Sequence, residues 1–197
     1  MPRKKDDNRV RLVQAAAKLT YRHGFRQTSL ADIAKDARVP LGNVYYYFKT
    51  KDEIAEAIVG RRLAEVQMLL RELEKAQSAK DRLCGFVRMT LNNRETLARG
   101  GCPIGTLCSE LHKDAGAVAK NATVLFAEIL NWMETQFLAL GAKDAARGLA
   151  VHLLSALQGV AVLALNFHDP GLVEMEAQRL QMWISALEIN NNAGEQK

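Results

Sequence analysis

The segment from residue 28 to residue 53 constrains the fold of this chain more than any other part. Ser29 and Asp32 have the spacing of a capping box in which Asp replaces the usual Glu. An apolar stripe at helical spacing follows and consists of Leu30, Ile33, Ala34 and Ala37. Pro40 lacks an amide donor, so it cannot extend that helix but can occupy the first position of a new one. The segment predicts two short helices joined by a tight turn.

The second short helix is predicted to run from Pro40 through Phe48. Val44 and Phe48 lie four residues apart and should face inward, with Val39 closing the turn. Tyr45 is expected to pack inward as well. The other positions are expected to face outward, namely Pro40, Leu41, Gly42, Asn43, Tyr46 and Tyr47. Neighbouring side chains on a helix point about 100° apart, so at least one of the three consecutive tyrosines must meet solvent or a partner. The alternative is an ordinary three-helix unit with partly buried tyrosines.

Two further helices frame this pair. Residues 7–23 form an amphipathic pattern that ends at Gly24, a residue favoured after a helix C-terminus, and Phe25 can fill the core beneath the turn. Thr50 and Glu53 form a second capping box, which opens the next helix. The first three helices together predict a compact helix-turn-helix domain.

The basic charge is concentrated in this domain. Residues 1–51 hold 12 Lys and Arg against 4 Asp and Glu, a net charge of +8. The remaining residues hold 15 basic against 18 acidic side chains, a net charge of −3. A positive excess at the helix pair is the electrostatic footprint of a phosphate-binding face. The basic residues Arg3, Lys4 and Lys5 are expected to form a disordered tail that tracks DNA phosphates.

The sequence lacks the signals of several other classes of protein. It has no uninterrupted run of 18 apolar residues, so no membrane span is expected, and its N-terminus lacks the apolar stretch of a signal peptide. Its three cysteines, Cys84, Cys102 and Cys108, are odd in number and sparse, which favours a reducing cytoplasm over a disulfide scaffold. No metal-binding, phosphate-cradling or catalytic spacing is present, so we expect neither a cofactor, nor a metal, nor an enzyme.

The stretch from Gly42 to Glu53, GNVYYYFKTKDE, resembles the recognition-helix signature of the tetracycline-repressor (TetR) family of bacterial transcriptional regulators. The stretch from Thr28 to Ala34, TSLADIA, is similar to the other helix-turn-helix segment of that family. The resemblance covers roughly residues 7–60. It implies an all-α fold and a ligand-responsive regulator that binds a palindromic DNA operator as a homodimer. It further implies that a small-molecule inducer releases a repressor, although the fold leaves activation open.

The family's DNA contacts can be carried over by matching position. The resemblance implies phosphate contacts from the hydroxyls and amides of Thr28 and Ser29 and from Lys51, and base contacts from the leading end of the recognition helix. The residues concerned are Thr28, Ser29, Leu41, Gly42, Asn43, Tyr46, Tyr47 and Lys51. Tyr47 replaces a histidine common in the family. Leu41 stands where many relatives carry Lys or Gln, so base preference cannot be transferred.

The remainder of the chain predicts a helical regulatory domain over residues 51–189, after the DNA-binding domain of residues 1–50. Residues 190–197 are expected to form a disordered tail. Helices are predicted over about 51–76, 78–97, 115–139, 143–167 and 171–189, with a short one after Pro103. Helix 143–167 is apolar on every side and needs burial on more than one of them. Packing of this helix against a copy of itself, together with helix 171–189, would bury its apolar sides. The family resemblance implies a dimer interface formed by these two helices. An interior helix of a monomer is the alternative.

The effector is expected among the central helices, where bundles place ligand sites between facing side chains. Polar candidates for its contacts are Arg88, Asn92, Cys102, His112, Asn131, Trp132, His152, Gln158 and His168. Each is also compatible with an ordinary surface or core position.

Cys102 carries an alternative hypothesis. It directly precedes Pro103, which should begin a helix, and the positive end of a helix dipole favours a thiolate. The surrounding residues resemble a Gly-Cys-Pro-x-Gly stretch of one TetR subgroup. The same fold could therefore act as a cysteine-based electrophile or redox sensor, or the cysteine could be buried and inert. A hydrolase-like pairing of Cys102 with His112 and a protein-interaction adaptor are more remote alternatives.

Overall fold

A computed structural model of the chain describes residues 4–113 and 117–188. All regular secondary structure in that part of the chain is helical, which confirms the all-α prediction. A short 3-10 helix, Lys143–Ala145, precedes α9. The α-helices are α1 Lys4–His23, α2 Leu30–Ala37, α3 Leu41–Tyr47, α4 Lys51–Leu73, α5 Ala79–Asn92, α6 Arg94–Gly100, α7 Pro103–Lys113, α8 Ala117–Ala139, α9 Ala146–Phe167 and α10 Gly171–Ala186.

Contacts divide the chain into two compact units. The first unit comprises Met1–Glu65 and Pro103–Phe126, and the second comprises Val66–Cys102 and Ala127–Lys197. The division predicted between residues 50 and 51 stays a prediction. The predicted tail, residues 190–197, lies outside the described residues, as do Arg3 and the side chains of Lys4 and Lys5.

The first unit is organised around α1, whose apolar face packs on α2 and α7. Its core contains the residues predicted to support the helix pair. Leu30, the first residue of the predicted stripe, is only partly buried, and the others are buried: Phe25, Ile33, Ala34, Ala37, Val39, Val44 and Phe48. Residues from α4 and α7 complete this core, among them Ile54, Ile58 and Leu107. The predicted helix-turn-helix core is therefore confirmed.

The second unit differs from the prediction at one helix boundary. The predicted helix 78–97 is two helices, α5 and α6, which are separated at Asn93. The Met89 carbonyl accepts hydrogen bonds from both the Asn93 backbone amide, at 3.2 Å, and the Asn93 side-chain amide, at 2.8 Å. Side chains that bond to the nearby backbone in this way favour helix ends, which agrees with the position of Asn93 between α5 and α6. The start of the predicted helix is confirmed, because Ser78 caps α5 and its hydroxyl accepts a hydrogen bond from the Asp81 amide at 3.1 Å.

Helix α9 is buried on one side only. Its buried face packs on α6 and α10 and includes Ala150, Leu153, Leu157, Ala161 and Ala164. The segment Lys143–Phe167 is long and apolar enough to cross a membrane by length and composition, with 39% of its most apolar window buried. A core helix of a helical bundle passes the same test, so this is weak evidence for a membrane span. The expectation of no membrane span stays a prediction.

Candidate nucleic-acid interface

The start of α2 is fixed by the predicted capping box. The Asp32 amide donates to the Ser29 hydroxyl at 3.2 Å, and the Ser29 amide donates to an Asp32 carboxylate oxygen at 3.1 Å. The hydrogen bonds from the Ser29 side chain and backbone lower the pKa of Asp32, because they favour its ionised form. Ser29 is exposed, but its amide and hydroxyl already take part in these local bonds.

Thr28 directly precedes Ser29, the residue that caps α2. Its side chain is only 3% exposed, and its hydroxyl donates to the Gly24 carbonyl at 2.8 Å. Its backbone amide donates to the Phe25 carbonyl at 3.3 Å. A buried polar group needs a partner, and the carbonyl four residues earlier supplies one. Both groups are therefore engaged within the protein, and the phosphate contact of Thr28 stays a prediction.

The turn between α2 and α3 is held from two directions. The Val39 amide donates to the Ala34 carbonyl at 3.0 Å, and the Val39 side chain is buried as predicted. On the other side, the Arg11 guanidinium of α1 donates to the carbonyls of Ala37 and Arg38. Arg38 itself has a φ of 53° in the left-handed region. These contacts fix the entry of the chain into α3.

Helix α3 projects outward from two buried anchors, Val44 and Phe48. Tyr45 is 50% exposed and Tyr46 is 58% exposed, whereas Tyr47 is half-buried against the core. The expectation that Tyr45 packs inward is therefore wrong, and Tyr47, which was expected to face outward, lies partly against the core. Tyr47 follows Val44 by three positions and so shares its face. Tyr45 precedes Phe48 by three positions, but Phe48 has an extended backbone, with φ −138° and ψ 112°, and does not continue the helical face.

Tyr47 lies where α3 meets α1 and α4. Its ring makes an edge-to-face contact with that of Tyr46, with centroids 5.1 Å apart and planes at 87°. It also lines a groove of about 610 Å³ together with Arg9, Val10, Val13, Phe48, Glu53, Glu56, Ala57, Gly60 and Arg61. Tyr47 is thus placed to orient Tyr46, and its predicted DNA contact stays a prediction. The leading residues Leu41, Gly42 and Asn43 are all exposed, as expected.

Lys51 lies at the first position of α4 and is anchored to the loop before α2. Its ammonium donates to the Arg26 carbonyl at 3.1 Å and lies 4.6 Å from the centroid of the Phe25 ring. The predicted cap is present beside it, since the Glu53 amide donates to the Thr50 hydroxyl at 3.2 Å. The Lys49 amide, in place of the Thr50 amide, completes the box by donating to Glu53 at 2.7 Å. The phosphate contact of Lys51 stays a prediction.

Sequence reasoning missed one support of the helix pair. Gly24 ends α1 with a φ of +86°, and the carboxylate of Glu110 in α7 accepts a hydrogen bond from the Phe25 amide that follows. A Cβ on Gly24 would lie 3.1 Å from a carboxylate oxygen of Glu110. Eighty-five positions separate Glu110 from Phe25, so no local pattern in the sequence indicates the contact.

Gly24→Ala is expected to lower the free energy of unfolding by about 1–2 kcal/mol, because an L side chain is strained at positive φ. The new methyl group would also crowd the Glu110 carboxylate. Urea unfolding followed by circular dichroism measures this change. Gly60→Ala in α4 is the matched control, since a Cβ there meets nothing within 4 Å and alanine is the better helix former. A Gly24→Ala protein as stable as the parent would contradict the argument.

The candidate effector residues are not gathered into one site. Arg88, Asn92 and His152 are exposed, and the His152 ring packs edge-on against Trp183, with centroids 4.9 Å apart. Gln158 is half-buried on α9. Both ring nitrogens of His112 lie near other groups, Nδ1 2.8 Å from the Cys108 carbonyl and Nε2 3.3 Å from the Thr123 hydroxyl. A polar residue in an apolar helix can line a pocket, but Arg88, Asn92 and His152 lie on the exposed faces of their helices.

Two neighbouring candidates, Asn131 and Trp132, line the same groove. A groove of about 430 Å³ in the second unit is lined by Gln67, Leu70, Arg71, Glu74, Glu128, Asn131, Trp132 and Thr135. The Trp132 indole donates to Glu74 at 2.6 Å, and Glu74 also accepts from Gln136 and pairs with Arg82. Trp132 thus has a fixed orientation at the wall of this groove.

The three cysteines have different surroundings. Cys108 is buried, and its thiol donates to the Ala122 carbonyl at 3.3 Å. Burial raises the pKa of the Cys84 thiol, which disfavours the reactive thiolate. Cys102 is half-buried, and its reactivity stays a prediction. Among residues 4–113 and 117–188, no cluster of three or more His, Cys, Asp or Glu side chains is arranged to hold a metal ion.

Two family models match the chain. The model described as "Bacterial regulatory proteins, tetR family" matches residues 12–58, which contain the helix-turn-helix. The model described as "Transcriptional regulator LmrA/YxaF-like, C-terminal domain" matches residues 63–178, more than half of the chain. The two matches follow one another along the chain and leave only short ends outside.

Individual relatives agree with these matches. The uncharacterised HTH-type transcriptional regulator YxaF of Bacillus subtilis (strain 168) is 24% identical over 190 residues, covering 90% of this chain and 95% of that protein. The HTH-type transcriptional repressor NemR of Escherichia coli (strain K12) is 31% identical over 88 residues, so the match spans less than half of each chain, 44%. A crystal structure of a TetR transcriptional regulator from Chloroflexus aurantiacus J-10-FL superposes with a TM-score of 0.83 at 21% identity, covering 93% of this chain and 97% of that one. At that identity the superposition shows a shared fold.

Proposed function

Because the chain belongs to the TetR family of bacterial regulatory proteins, we propose that this DNA-binding regulator is a cytoplasmic repressor. It binds a palindromic operator as a homodimer and leaves it when a small molecule binds. The observation that carries the proposal is the geometry of α3, which is anchored by Val44 and Phe48 and exposes Leu41, Tyr45 and Tyr46. A rigidly supported helix with an exposed leading end suits the major groove of DNA.

The proposed dimer uses the exposed faces of α9 and α10. On α9 this face follows a spacing of three and four residues and comprises Gly148, Val151, His152, Ser155, Gly159, Val162, Leu163, Asn166 and Phe167. A Cβ at Gly148 or Gly159 would meet nothing within 4 Å, so packing inside the protomer does not require glycine at these positions. Exposed Met175 and Met182 continue the surface on α10. In an isologous dimer this surface packs against its own copy about a two-fold axis.

Two-fold symmetry connects the dimer to DNA recognition. Two recognition helices related by such an axis can read half-sites whose centres lie about one DNA turn, roughly 34 Å, apart. The dimer can adopt a conformation in which the spacing of the two helices matches the half-sites and one in which it does not. A small molecule lowers operator affinity only if it binds the second conformation more tightly than the first. The proposed induction is therefore a population shift, and its strength equals the difference in effector affinity between the two conformations.

The groove lined by Trp132 is the proposed effector site. Its volume, about 430 Å³, suits a small organic molecule. The Trp132 indole offers an aromatic wall, while Arg71, Glu128 and Asn131 supply polar groups along the same groove. The carboxylate of Glu128 accepts from Gln67 at 3.3 Å, which links the two sides of the groove. An effector inserted between these helices would have to replace that bond.

The proposal is tested with DNA that the protein itself selects. Duplexes retained from a random library should converge on a palindrome with half-site centres about one DNA turn apart. Placed in a reporter promoter, the selected sequence should reduce transcription when the protein is produced. A screen of small molecules by release of the labelled duplex then identifies effectors. If the protein retains no preferred sequence from the library, operator binding is refuted. If transcription of the reporter rises when the protein is produced, the protein is an activator and not a repressor.

Base preference is expected to depend on the leading end of α3. Leu41→Ala or Asn43→Ala should change the selected sequence at one position in each half-site, with a loss of discrimination of about 1–3 kcal/mol for the contacted base. Repeating the selection with each variant measures this change. Leu138→Ala, at another exposed leucine, is the control and should select the parent sequence. If both α3 variants also select it, these residues do not read bases.

A further inference from the structure

The turn between α2 and α3 carries an arginine where the backbone favours glycine. Arg38 follows the last residue of α2 with φ 53° and ψ 45°, and its side chain is exposed. Helices that end in this left-handed conformation mostly carry glycine or asparagine, because other L residues are strained there. The backbone conformation alone therefore gives no reason for a long basic side chain at this position.

Stabilisation of the α2 C-terminus does not account for the arginine either. A cation near the last carbonyls of a helix is favourable, since it opposes the negative end of the helix dipole. At this helix end the cation is already supplied by Arg11 of α1, whose guanidinium donates to the carbonyls of Ala37 and Arg38. Lys35 adds a further positive charge in the last turn of α2. A third cation at position 38 adds little to this compensation and increases the repulsion among them.

Position 38 lies beside the part of the molecule that faces DNA in the proposed function. Arg38 lies three positions, at most about 10 Å of extended chain, before Leu41 at the exposed leading end of α3. When the first residues of a recognition helix reach base edges, the flanking residues meet the phosphates that border the groove. An exposed guanidinium at this distance is therefore placed for a phosphate rather than for a base.

We propose that Arg38 binds a phosphate of the DNA backbone next to the recognition helix, and that the strained turn is retained because it presents this guanidinium. The inference rests on the proposed DNA-binding function and adds a contact that the matched family positions do not include. Arg11 is the positioning residue, since it holds the carbonyls of Ala37 and Arg38 where the chain leaves α2. Arginine suits this contact because its planar fork can donate two parallel hydrogen bonds to one phosphate.

The test compares substitutions that remove the charge with one that keeps it. Arg38→Gly and Arg38→Asn both tolerate the left-handed backbone but lack the cation, whereas Arg38→Lys keeps the charge on a more strongly hydrated group. Binding is measured by fluorescence anisotropy between 50 and 200 mM KCl, with a duplex that the parent protein selected and an unrelated duplex of equal length. The thermal unfolding midpoint of each variant is measured alongside.

Arg38→Gly and Arg38→Asn should each bind both duplexes about tenfold more weakly than the parent, because a phosphate contact is independent of base sequence. The dependence of log K on log salt should become shallower by about 2 for a dimer that loses one phosphate contact per protomer. Arg38→Lys should recover most of the affinity. The unfolding midpoint should stay unchanged or rise in Arg38→Gly, because the strain is relieved.

Lys143→Gly is the matched control. Lys143 is another exposed basic residue at positive φ, 46°, but it lies in the second unit. Its replacement should leave both affinity and salt dependence at the parent values. The proposal is overturned if Arg38→Gly and Arg38→Asn bind like the parent, or if their weaker binding accompanies a lowered unfolding midpoint. A parent protein that selects no DNA would instead refute the proposed function, and the inference would fail with it.

Discussion

Val162→Asp is expected to convert the protein to monomers and to weaken binding to its selected duplex by at least about a hundredfold. Val162 is 59% exposed in the protomer and lies on the α9 face of the proposed dimer. An isologous interface brings two copies of each residue into the same buried patch, and burying unpaired carboxylates costs several kcal/mol. A monomer reads one half-site and loses half of its DNA contacts. Sedimentation velocity gives the oligomeric state, and fluorescence anisotropy gives the affinity.

The control for this experiment is another exposed apolar residue. Met68 is 62% exposed on α4, away from the surface assigned to the dimer, so Met68→Asp should remain dimeric and bind DNA like the parent. Circular dichroism of both variants checks that the protomer is folded, which is expected because neither side chain belongs to the core. A dimeric Val162→Asp protein with full affinity would show that α9 does not form the interface.

The helix pair could be predicted because its signals are local. The capping boxes, the apolar stripe of α2 and the proline before α3 each act within a few residues, and the structure contains them. The order of the three tyrosines is not fixed by such local signals. Tyr47 follows Val44 by three positions and Tyr45 precedes Phe48 by three, so helical periodicity places both beside the buried face. In the structure Phe48 has an extended backbone and ends α3, so only the face of Val44 continues, and Tyr47 lies on it.

Other features depend on contacts that no local pattern indicates. The hydrogen bond from the Phe25 amide to Glu110 joins residues that are far apart in sequence, and the anchoring of Lys51 on Arg26 depends on how α4 meets the loop before α2. The scatter of the effector candidates over the structure has a related cause. A polar residue in an apolar helix can line a cavity or can face a partner, and its position on the helix decides which. His152 lies on the exposed face of α9, where a second protomer is proposed to pack.

Phe48→Ala is expected to lower the free energy of unfolding of the protein by about 3–5 kcal/mol. Phe48 is buried at the end of α3 within the core of the first unit, and the guanidinium of Arg9 lies 5.4 Å from the centroid of its ring. Truncation removes the hydrophobic contacts and leaves a cavity under the recognition helix. Because a domain of this kind is stable by only about 5–15 kcal/mol, the loss is a large part of the total. Urea unfolding measures it.

The Tyr46→Ala variant distinguishes a residue that contacts DNA from one, such as Phe48, that supports the recognition helix. The Tyr46 ring is exposed, so its removal should change the free energy of unfolding by no more than about 0.5 kcal/mol. The same change should weaken DNA binding roughly tenfold without altering the selected sequence, whereas Phe48→Ala should lose DNA binding in parallel with folding. A Phe48→Ala protein with the parent's unfolding midpoint would contradict the anchoring role. If Tyr46→Ala binds DNA as tightly as the parent, the exposed tyrosines of α3 do not contact DNA. Tyr46 is the most exposed of them, so its ring should be the first to contribute to a DNA-binding face.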